Sequence, residues 1–486
     1  MSLREQAAAG AKWTSSTMII VTGLQFFQLA VLARLLSPED FGLMAMIGVV
    51  LGFANAFADM GVSNAIIYHQ NTTRAQLSSL YWLNLMVGFV IFLLVWAATP
   101  LIVAFYNEPQ LSELIFWAAL GLLIVPFGQQ FQVLLHKELQ FDVLAKVQIL
   151  STLAGVTVAI GSAWAGQGVF ALVWGSLTSS SVNALLLTWW GWRSWRPMLH
   201  FNFFDIQSYI SFGLYQMGER SVNYFAANVD YMIVGRFLGP ELLGLYRLAY
   251  ELVLKPLRTI NPILTKIAFP VFAKKQTNDV ALRRGYLEVI KLLAMILFPI
   301  TVGFIVTAPL IVPVVFGPSW VGAIPLVQIL AVVGLLKALS NPTGAILLAK
   351  GRADIGFKWN VYVVVLNTGL FLSVVSYGVY AIAWSYVAVS LLNATLLWII
   401  LCRTIYFGYY DLVPLFLLPL AWSLIMGLVV YAGYVLLSEW LVTKVMLLLI
   451  LVAMGGGVYS LLAMLFEYRY FYDLWILIFS KKQEAV

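Results

Sequence analysis

The sequence predicts an all-α integral membrane protein of about fourteen transmembrane helices, with two pseudo-symmetric six-helix bundles around a central cavity and two appended C-terminal helices. Three observations support this fold class. The 486 residues are 62% hydrophobic and only 10% charged, which is far more apolar than a soluble domain. Apolar runs of spanning length recur along the chain. Three segments also occur twice, about two hundred residues apart.

The apolar runs define the elements in chain order. The first six predicted spans lie near residues 14–34, 41–67, 77–100, 112–135, 144–165 and 168–190. The second six lie near residues 208–237, 242–270, 285–308, 321–348, 355–376 and 378–401. Two further spans, near 412–436 and 444–466, have no counterpart in the repeat. We therefore divide the chain into an N-terminal lobe (1–200), a second lobe (201–405) and a C-terminal segment (406–486) whose residues 468–480 are predicted as an interfacial helix.

The most distinct repeat is a helix-turn-helix corner. The segment LARLLSPEDFGL at 32–43 returns as VGRFLGPELLGL at 234–245. Ser37 and Gly239 stand where an N-cap is expected, and each is followed by the proline and glutamate that suit the first turn of a helix. Two more pairs keep the same order: residues 168–174 return at 378–384, and the segments 121–123 and 134–137 return at 334–336 and 347–350. The chain is therefore predicted to be a duplication.

The basic residues set the predicted orientation of these spans. The side shared by both termini holds Arg4, Lys12, Arg74, Lys137, Lys146, Arg193, Arg196, Lys274, Lys275, Arg283, Arg284, Lys291, Lys350, Arg352, Lys358, Arg403, Arg469, Lys481 and Lys482. The other side holds only Arg34, Arg236 and Lys444. By the positive-inside rule, both termini are expected in the cytoplasm.

Several function classes are not favoured by the sequence. The loops opposite the termini are short, and 166–167 and 377–378 are close to bare turns, so no room for an active site is expected on that side. The single cysteine, Cys402, and three scattered histidines predict neither a disulfide framework nor a metal site. A phosphate-binding Gly-rich loop, a G-x-S-x-G elbow and an H-E-x-x-H motif are not found. We expect no cofactor, no ATP hydrolysis and no nucleic-acid partner.

Charged residues inside the predicted spans are the best site candidates. The six basic ones are Arg220, Arg247, Lys255, Arg258, Lys266 and Lys337. Each costs about 2.5–3.5 kcal/mol in lipid, so such residues normally face a cavity or a partner. In the eighth span, Arg247, Glu251, Lys255, Arg258 and approximately Lys266 follow helical spacing and share one face.

Polar residues on three other spans complete the predicted site. The seventh span carries Gln216, Arg220, Asn223 and Asp230 at helical spacing, with Glu219 beside them, and spans one and two carry Gln25, Gln28 and Asp59. We predict a water-filled, net cationic cavity lined by spans one, two, seven and eight, which suits an anion. The predicted substrate-binding residues are Arg220, Arg247, Lys255, Arg258, Lys266, Asn223, Gln25 and Gln28. The predicted coupling or counterion residues are Asp59, Glu219, Asp230 and Glu251.

Each charged residue also has a structural interpretation. Arg247, Glu251 and Lys255 can pair along their own helix, and Lys266 can extend to the lipid headgroups. Asp59 can be a hydrogen-bonded packing residue. Lys337 precedes Asn341-Pro342 in a span that proline can kink, so a structural role and a cavity-lining role are both open.

Short local motifs occur in both halves of the chain. In the first half they are residues 11–13 (AKW), 32–43, 57–61 (FADMG), 80–84 (LYWLN), 128–131 (GQQF) and 137–139. In the second half they are residues 248–250 (LAY), 261–263 (NPI), 269–274, 332–336 and 357–361. In combination these motifs resemble polysaccharide flippases of the MOP superfamily, and the colanic acid exporter type most closely. The resemblance spans at least residues 11 to 361, and its specificity comes from the combination of motifs.

The resemblance implies a flippase for a polyprenyl-diphosphate-linked oligosaccharide, working by alternating access in the bacterial inner membrane for exopolysaccharide or capsule export. The partners it implies are the lipid-linked substrate, membrane lipids, and the polysaccharide polymerase and export machinery of the same pathway. Three alternatives remain open at this stage: a MATE-like ion-coupled exporter of small molecules, a polysaccharide polymerase or ligase, and a non-transporting assembly scaffold.

Overall fold

The computed structural model describes residues 3–58, 66, 72–274, 278–439 and 443–479. This part of the chain contains thirteen α-helices joined by short turns and no β-strand. In order they are α1 (Leu3–Leu35), α2 (Pro38–Ala58), α3 (Arg74–Tyr106), α4 (Leu111–Lys137), α5 (Phe141–Trp164), α6 (Phe170–Gly191), α7 (Gln207–Lys274), α8 (Asp279–Val315), α9 (Ile324–Ala349), α10 (Ala353–Val374), α11 (Val379–Thr404), α12 (Val413–Leu437) and α13 (Lys444–Phe479).

The predicted number of spans is confirmed. Twelve helices are long and apolar enough to cross a membrane, and these are all the helices except α7. The 68-residue helix α7 is broken at Gly239, and each of its two arms exceeds the roughly 20 residues that a span requires. The two arms therefore supply spans seven and eight, which brings the total to about fourteen.

The helix ends after α4 and α9, which the sequence predicts to be repeat partners, have the same backbone hydrogen bonds. After α4, the N–H groups of residues 138, 139 and 140 donate to the carbonyl oxygens of residues 134, 136 and 135. After α9, the N–H groups of residues 350, 351 and 352 donate to those of residues 346, 348 and 347. Residues 165, 166 and 167 after α5 form the same pattern, so it is a common way to end a helix and not a mark of the duplication.

By packing, the chain divides into unit 1 (Met1–Leu248 and Trp359–Ile382) and unit 2 (Ala249–Lys358 and Ala383–Val486). In unit 1, α5 packs against α1 and α6, and α4 packs against α3 and α6. Gly155 and Gly175 bring the backbones of α5 and α6 close together, as small residues do in membrane bundles. The predicted segments 1–200, 201–405 and 406–486 were drawn from the sequence repeat and not from packing, so this division stays a prediction.

In unit 2, α8 is the central helix and packs against α9, α12 and α13. Its core-facing stripe of Leu282, Tyr286, Ile290, Leu293 and Leu297 is fully buried, at 0% exposure. Such i, i+4, i+8 spacing is that of one helix face.

Ion pairs tie the first turns of α8 to neighbouring elements of unit 2. Arg283 pairs with Asp411 at 2.8 Å, and Lys350 pairs with Asp279. Further along α8, Lys291 pairs at 2.8 Å with Glu467. Glu467 is the non-helical residue inside α13, so α13 bends immediately before the segment predicted as an interfacial helix.

Candidate functional site

The two copies of the repeated corner pack against each other within unit 1. A Cβ atom added to Gly42 would overlap the carbonyl oxygen of Pro240, and one added to Gly244 would overlap that of Pro38. Two helix starts can approach this closely only where the residue at the point of contact on each helix is a glycine, which has no side chain. The contact is reciprocal, as expected for a duplicated element.

Local interactions shape each corner. Ser37 caps α2 as predicted: its hydroxyl oxygen accepts from the N–H of Asp40 at 3.2 Å, and its own N–H and hydroxyl donate to the Asp40 carboxylate at 2.9 and 2.8 Å. This is a capping box with aspartate at the third helical position. At the second corner, Gly239 has φ 85° and ψ 176°, which residues with a side chain rarely adopt. Glycine therefore allows α7 to break there.

Buried apolar side chains lie beside the corners, so the two corners are closely packed. Leu243 and Met46 are 0% exposed and Leu43 is 1% exposed. Arg247, a predicted substrate-binding residue, donates to the carbonyl oxygen of Phe41 at 3.5 Å, which is at the long limit for a hydrogen bond. No ion pair between Arg247 and a carboxylate is formed in the described part of the chain.

Asp230 joins the two arms of α7 on either side of the break. Its carboxylate is 1% exposed and accepts hydrogen bonds from the hydroxyl of Tyr246 and the backbone N–H of Tyr231, both at 3.0 Å. The two tyrosine rings pack edge to face at 5.8 Å. A buried carboxylate needs such donors. In this conformation the predicted counterion therefore lies inside the helical hairpin.

The first arm of α7 contacts α2 through Tyr224. Its phenol ring lies against Gly52, and its hydroxyl donates to the carbonyl oxygen of Gly48 at 3.0 Å. The ring takes the space that a side chain at Gly52 would occupy, whereas a Cβ built on Gly48 would have nothing within 4 Å. The adjacent Asn223 is exposed and accepts a 2.7 Å hydrogen bond at Oδ1 from Asn360 of α10. Asn223 thus links two helices of unit 1.

A cavity of about 570 Å³ lies between α2, α3 and the first arm of α7. It is lined by Val49, Val50, Phe53, Ala54, Phe57, Ile91, Leu94, Val95, Ala98, Leu101, Ile102, Phe105, Tyr106, Tyr224, Phe225, Asn228 and Met232. Its walls are apolar except for two tyrosines and one asparagine. This space within unit 1 is not cationic, and the cationic cavity stays a prediction.

The other predicted site residues fall into two groups. Gln25 and Gln28 of α1, Arg220 of α7 and Glu251 are half-buried. The side chains of Lys255, Arg258, Lys266 and Glu219, and Asp59 as a whole, lie outside the described residues. The grouping of these side chains around one substrate therefore also stays a prediction.

Two of the family-like motifs of the first half, at residues 80–84 and 128–131, are packing elements. Gln130 is 3% exposed and donates from Nε2 to the carbonyl oxygen of Leu77 at 2.7 Å, which ties α4 to α3. Asn84 donates to Gln129 across the same helix pair at 3.3 Å. Tyr81 and Phe131 are buried with ring centroids 6.1 Å apart. These motifs thus stabilise the bundle.

Sequence reasoning missed the contact between Gly42 and Gly244 and the contact between Tyr224 and Gly52. A signal for the first was present, because the repeated corner keeps a glycine at the same place in both copies. For the second, the glycine itself was the available signal. In neither case does the sequence identify the partner.

Comparison with known proteins places this architecture in a family. Residues 31–325 match the family described as polysaccharide biosynthesis protein. Teichuronic acid biosynthesis protein TuaB of Bacillus subtilis (strain 168) is 36% identical over 394 residues, 81% of this chain and 81% of the relative. Lipopolysaccharide biosynthesis protein WzxC of Escherichia coli (strain K12) is 36% identical over 362 residues, 74% of each.

A solved structure shares the fold. The lipid II flippase MurJ in an inward closed conformation matches with a TM-score of 0.76 and 13% identity, over 96% of this chain and 100% of that chain. At this identity the likeness concerns the fold alone. The family match and the two relatives confirm the resemblance to membrane proteins of polysaccharide biosynthesis that the sequence motifs indicated. The family match covers more than half of the chain, and the protein therefore belongs to the polysaccharide biosynthesis protein family.

Proposed function

We propose that this protein is a flippase that moves a polyprenyl-diphosphate-linked oligosaccharide across the bacterial inner membrane by alternating access. The observation that carries the proposal is the reciprocal packing of Gly42 on Pro240 and of Gly244 on Pro38. A transporter of this kind needs one end that is closed in one state and opens in another. A duplicated corner that closes one end of unit 1 supplies such an element.

The closed end is suited to reversible opening. The backbones of Pro38 and Pro240 meet the glycines of the facing corner, and the hydrogen bond from Arg247 to Phe41 is long at 3.5 Å. The capping box of Ser37 and Asp40 lies entirely within the start of α2, so it survives when the corners separate. In the proposed cycle, opening exposes the apolar contact area at the corners.

The basic residues of α7 give a path for the anionic diphosphate. Arg220 and Arg258 each lie 19 residues from Gly239, about 28 Å along their own arm. With a hydrocarbon layer about 30 Å thick, both lie near the membrane boundary remote from the corners. On the second arm, Lys255 and then Arg247 lie between Arg258 and the corners. In the proposed cycle these cations receive the diphosphate in turn.

Lys266 has a different role in this proposal. It lies 27 residues from Gly239, about 40 Å along the second arm, which is beyond the hydrocarbon layer. A cation at headgroup level attracts anionic lipid without a desolvation penalty. We assign it to recruitment of the substrate from the leaflet.

The proposed orientation places both termini in the cytoplasm and the corners at the outer face. The distribution of Lys and Arg supports it. A cysteine at Glu241, in the corner, should react with an impermeant maleimide added to intact spheroplasts, and one at Arg284 should react only after permeabilisation. The opposite pattern would reverse the proposed orientation.

The decisive experiment uses the purified protein in liposomes containing a fluorescent polyprenyl-diphosphate oligosaccharide. Exposure of the intact lipid on the trans leaflet should depend on the protein. The double variant Lys255→Ala and Arg258→Ala should lose transport, because two cations on the diphosphate path are removed. Lys444→Met, a loss of charge at the start of α13, is the control and should transport normally.

The same assay separates the alternatives. A polymerase would lengthen the glycan, which mass spectrometry of the recovered lipid detects. A small-molecule exporter would move a cationic dye and leave the lipid in place. Normal lipid transport by the double variant would remove the proposed diphosphate path.

A further inference from the structure

Lys337 puts a positive charge in the middle of α9. It lies 13 residues after Ile324 and 12 before Ala349, so about 18–20 Å of helix separates it from either end. Lys337 forms no ion pair with a carboxylate of the described residues. The side chain is exposed, and facing lipid at this depth would cost about 2.5–3.5 kcal/mol. We conclude that water or a ligand reaches this face of the helix.

Two buried tyrosines hold the ammonium group in place. Its Nζ lies 4.4 Å from the ring centroid of Tyr386 and 5.9 Å from that of Tyr250, both within the range of cation–π attraction. Nζ also donates to the hydroxyl of Tyr386. Both tyrosines are 3% exposed. A lysine has three N–H donors, so donors remain for a ligand on the open side.

The open face continues along α9 with polar and small residues. The exposed positions after Lys337 are Asn341, Gly344 and Leu348, which follow at i+4, i+7 and i+11 and so share its face. Nothing lies within 4 Å of a Cβ built on Gly344, which leaves open space there. The face thus offers a cation, an amide group and open space.

We infer that this face of α9 is an anion site that binds an acidic oxygen group of the lipid-linked glycan. The inference rests on the proposed function and deepens it by naming a substrate contact in unit 2. The ammonium of Lys337 pairs with a carboxylate or phosphate oxygen, and Asn341 donates to and accepts from sugar hydroxyls. The open space at Gly344 accommodates a sugar ring.

Two sources carry the required anion: the carboxylate of an acidic sugar and the diphosphate of the lipid. The experiment therefore uses two synthetic lipids in the liposome assay. Both carry the same polyprenyl diphosphate and a disaccharide, and they differ only in whether one sugar is a uronic acid or its neutral hexose. Lys337→Met removes the charge at similar length, Lys337→Arg keeps it, and Lys444→Met is the matched loss of charge elsewhere.

Lys337→Met is expected to slow transport about ten- to a hundredfold, the range for losing a charge-assisted hydrogen bond. Loss with the acidic lipid alone assigns the site to the sugar carboxylate, and loss with both lipids assigns it to the diphosphate. Lys337→Arg should restore most of the rate, and Lys444→Met should leave it unchanged. Transport of both lipids at the wild-type rate by Lys337→Met would overturn the inference.

A structural role, in which Lys337 only ties α9 to α11, predicts a different pattern. Tyr386→Phe removes that hydrogen bond but keeps the ring and the charge. It should transport within about twofold of wild type if Lys337 binds the substrate, and it should reproduce the defect of Lys337→Met if the tie is what matters. Lys337→Gln provides a second uncharged variant if methionine impairs folding. Wild-type protein that moves neither lipid would instead refute the proposed function itself.

Discussion

Replacing Gly42 by alanine is expected to separate the two corners of unit 1. The added methyl group would overlap the carbonyl oxygen of Pro240, a backbone atom that cannot rotate aside. Overpacking of a close-packed contact costs about 1–3 kcal/mol. Since 1.4 kcal/mol changes an equilibrium about tenfold, the population with packed corners should fall about 5- to 150-fold relative to the population with separated corners.

The separation can be measured with a buried cysteine. Cys402 is the chain's single cysteine, so a Cys402→Ser background leaves the reporter as the sole thiol. Leu243 is 0% exposed beside the second corner, and Leu243→Cys should react slowly with an impermeant maleimide while the corners are packed. Adding Gly42→Ala should accelerate labelling at least about fivefold.

Gly48→Ala is the matched control. Gly48 lies on the same helix, and nothing lies within 4 Å of a Cβ built there. The two substitutions therefore share the gain in helix propensity, about 1 kcal/mol, and differ in the overlap. Gly244→Ala should behave as Gly42→Ala does, because the contact is reciprocal. Labelling of Gly42→Ala at the parental rate, or equal acceleration by Gly48→Ala, would refute the reasoning.

Three further predictions concern unit 1. Tyr246→Phe removes a donor from the buried carboxylate of Asp230 and should lower the free energy of unfolding by about 1–3 kcal/mol, measured by thermal denaturation in detergent; an unchanged midpoint would contradict this. The pKa of Glu108 is raised from its ordinary 4.5, first by burial and then by the nearby charge of Glu39. The wild type should therefore lose stability relative to Glu108→Gln as the pH rises above 4.5. The two proteins should have the same melting temperature at lower pH, and a difference in melting temperature that does not change with pH would contradict this prediction. Tyr224→Phe loses its hydrogen bond to α2 and should cost about 1 kcal/mol, and a loss above about 3 kcal/mol would show that the ring itself had moved.

The fold was largely predictable because lipid imposes a simple rule on the chain. Every backbone polar group inside a bilayer must be bonded internally, so long apolar runs become helices. The predicted spans near 112–135, 144–165 and 168–190 correspond to α4, α5 and α6. The second predicted span, 41–67, matches α2 as far as Ala58, and most of its remainder lies outside the described residues.

The candidate site was predictable only in part. Hydropathy identified Arg220, Arg247 and Asp230 as charges in spans, because their cost in lipid makes them stand out. It could not place their partners. Asp230 is bound by Tyr246, sixteen residues away across a helix break, and Arg247 faces the backbone of Phe41, 206 positions away.

The helices, their number, the duplication and the positions of costly charge were predictable from the amino-acid sequence, since each depends on local composition or on a repeated pattern. Only the folded chain shows that Gly42 and Gly244 meet each other's corner, that Tyr224 packs on Gly52, and that Lys337 lies over two tyrosine rings. These facts depend on contacts between residues distant in the chain. Such contacts are set by the shapes of two packed helices together, and neither helix carries that information alone.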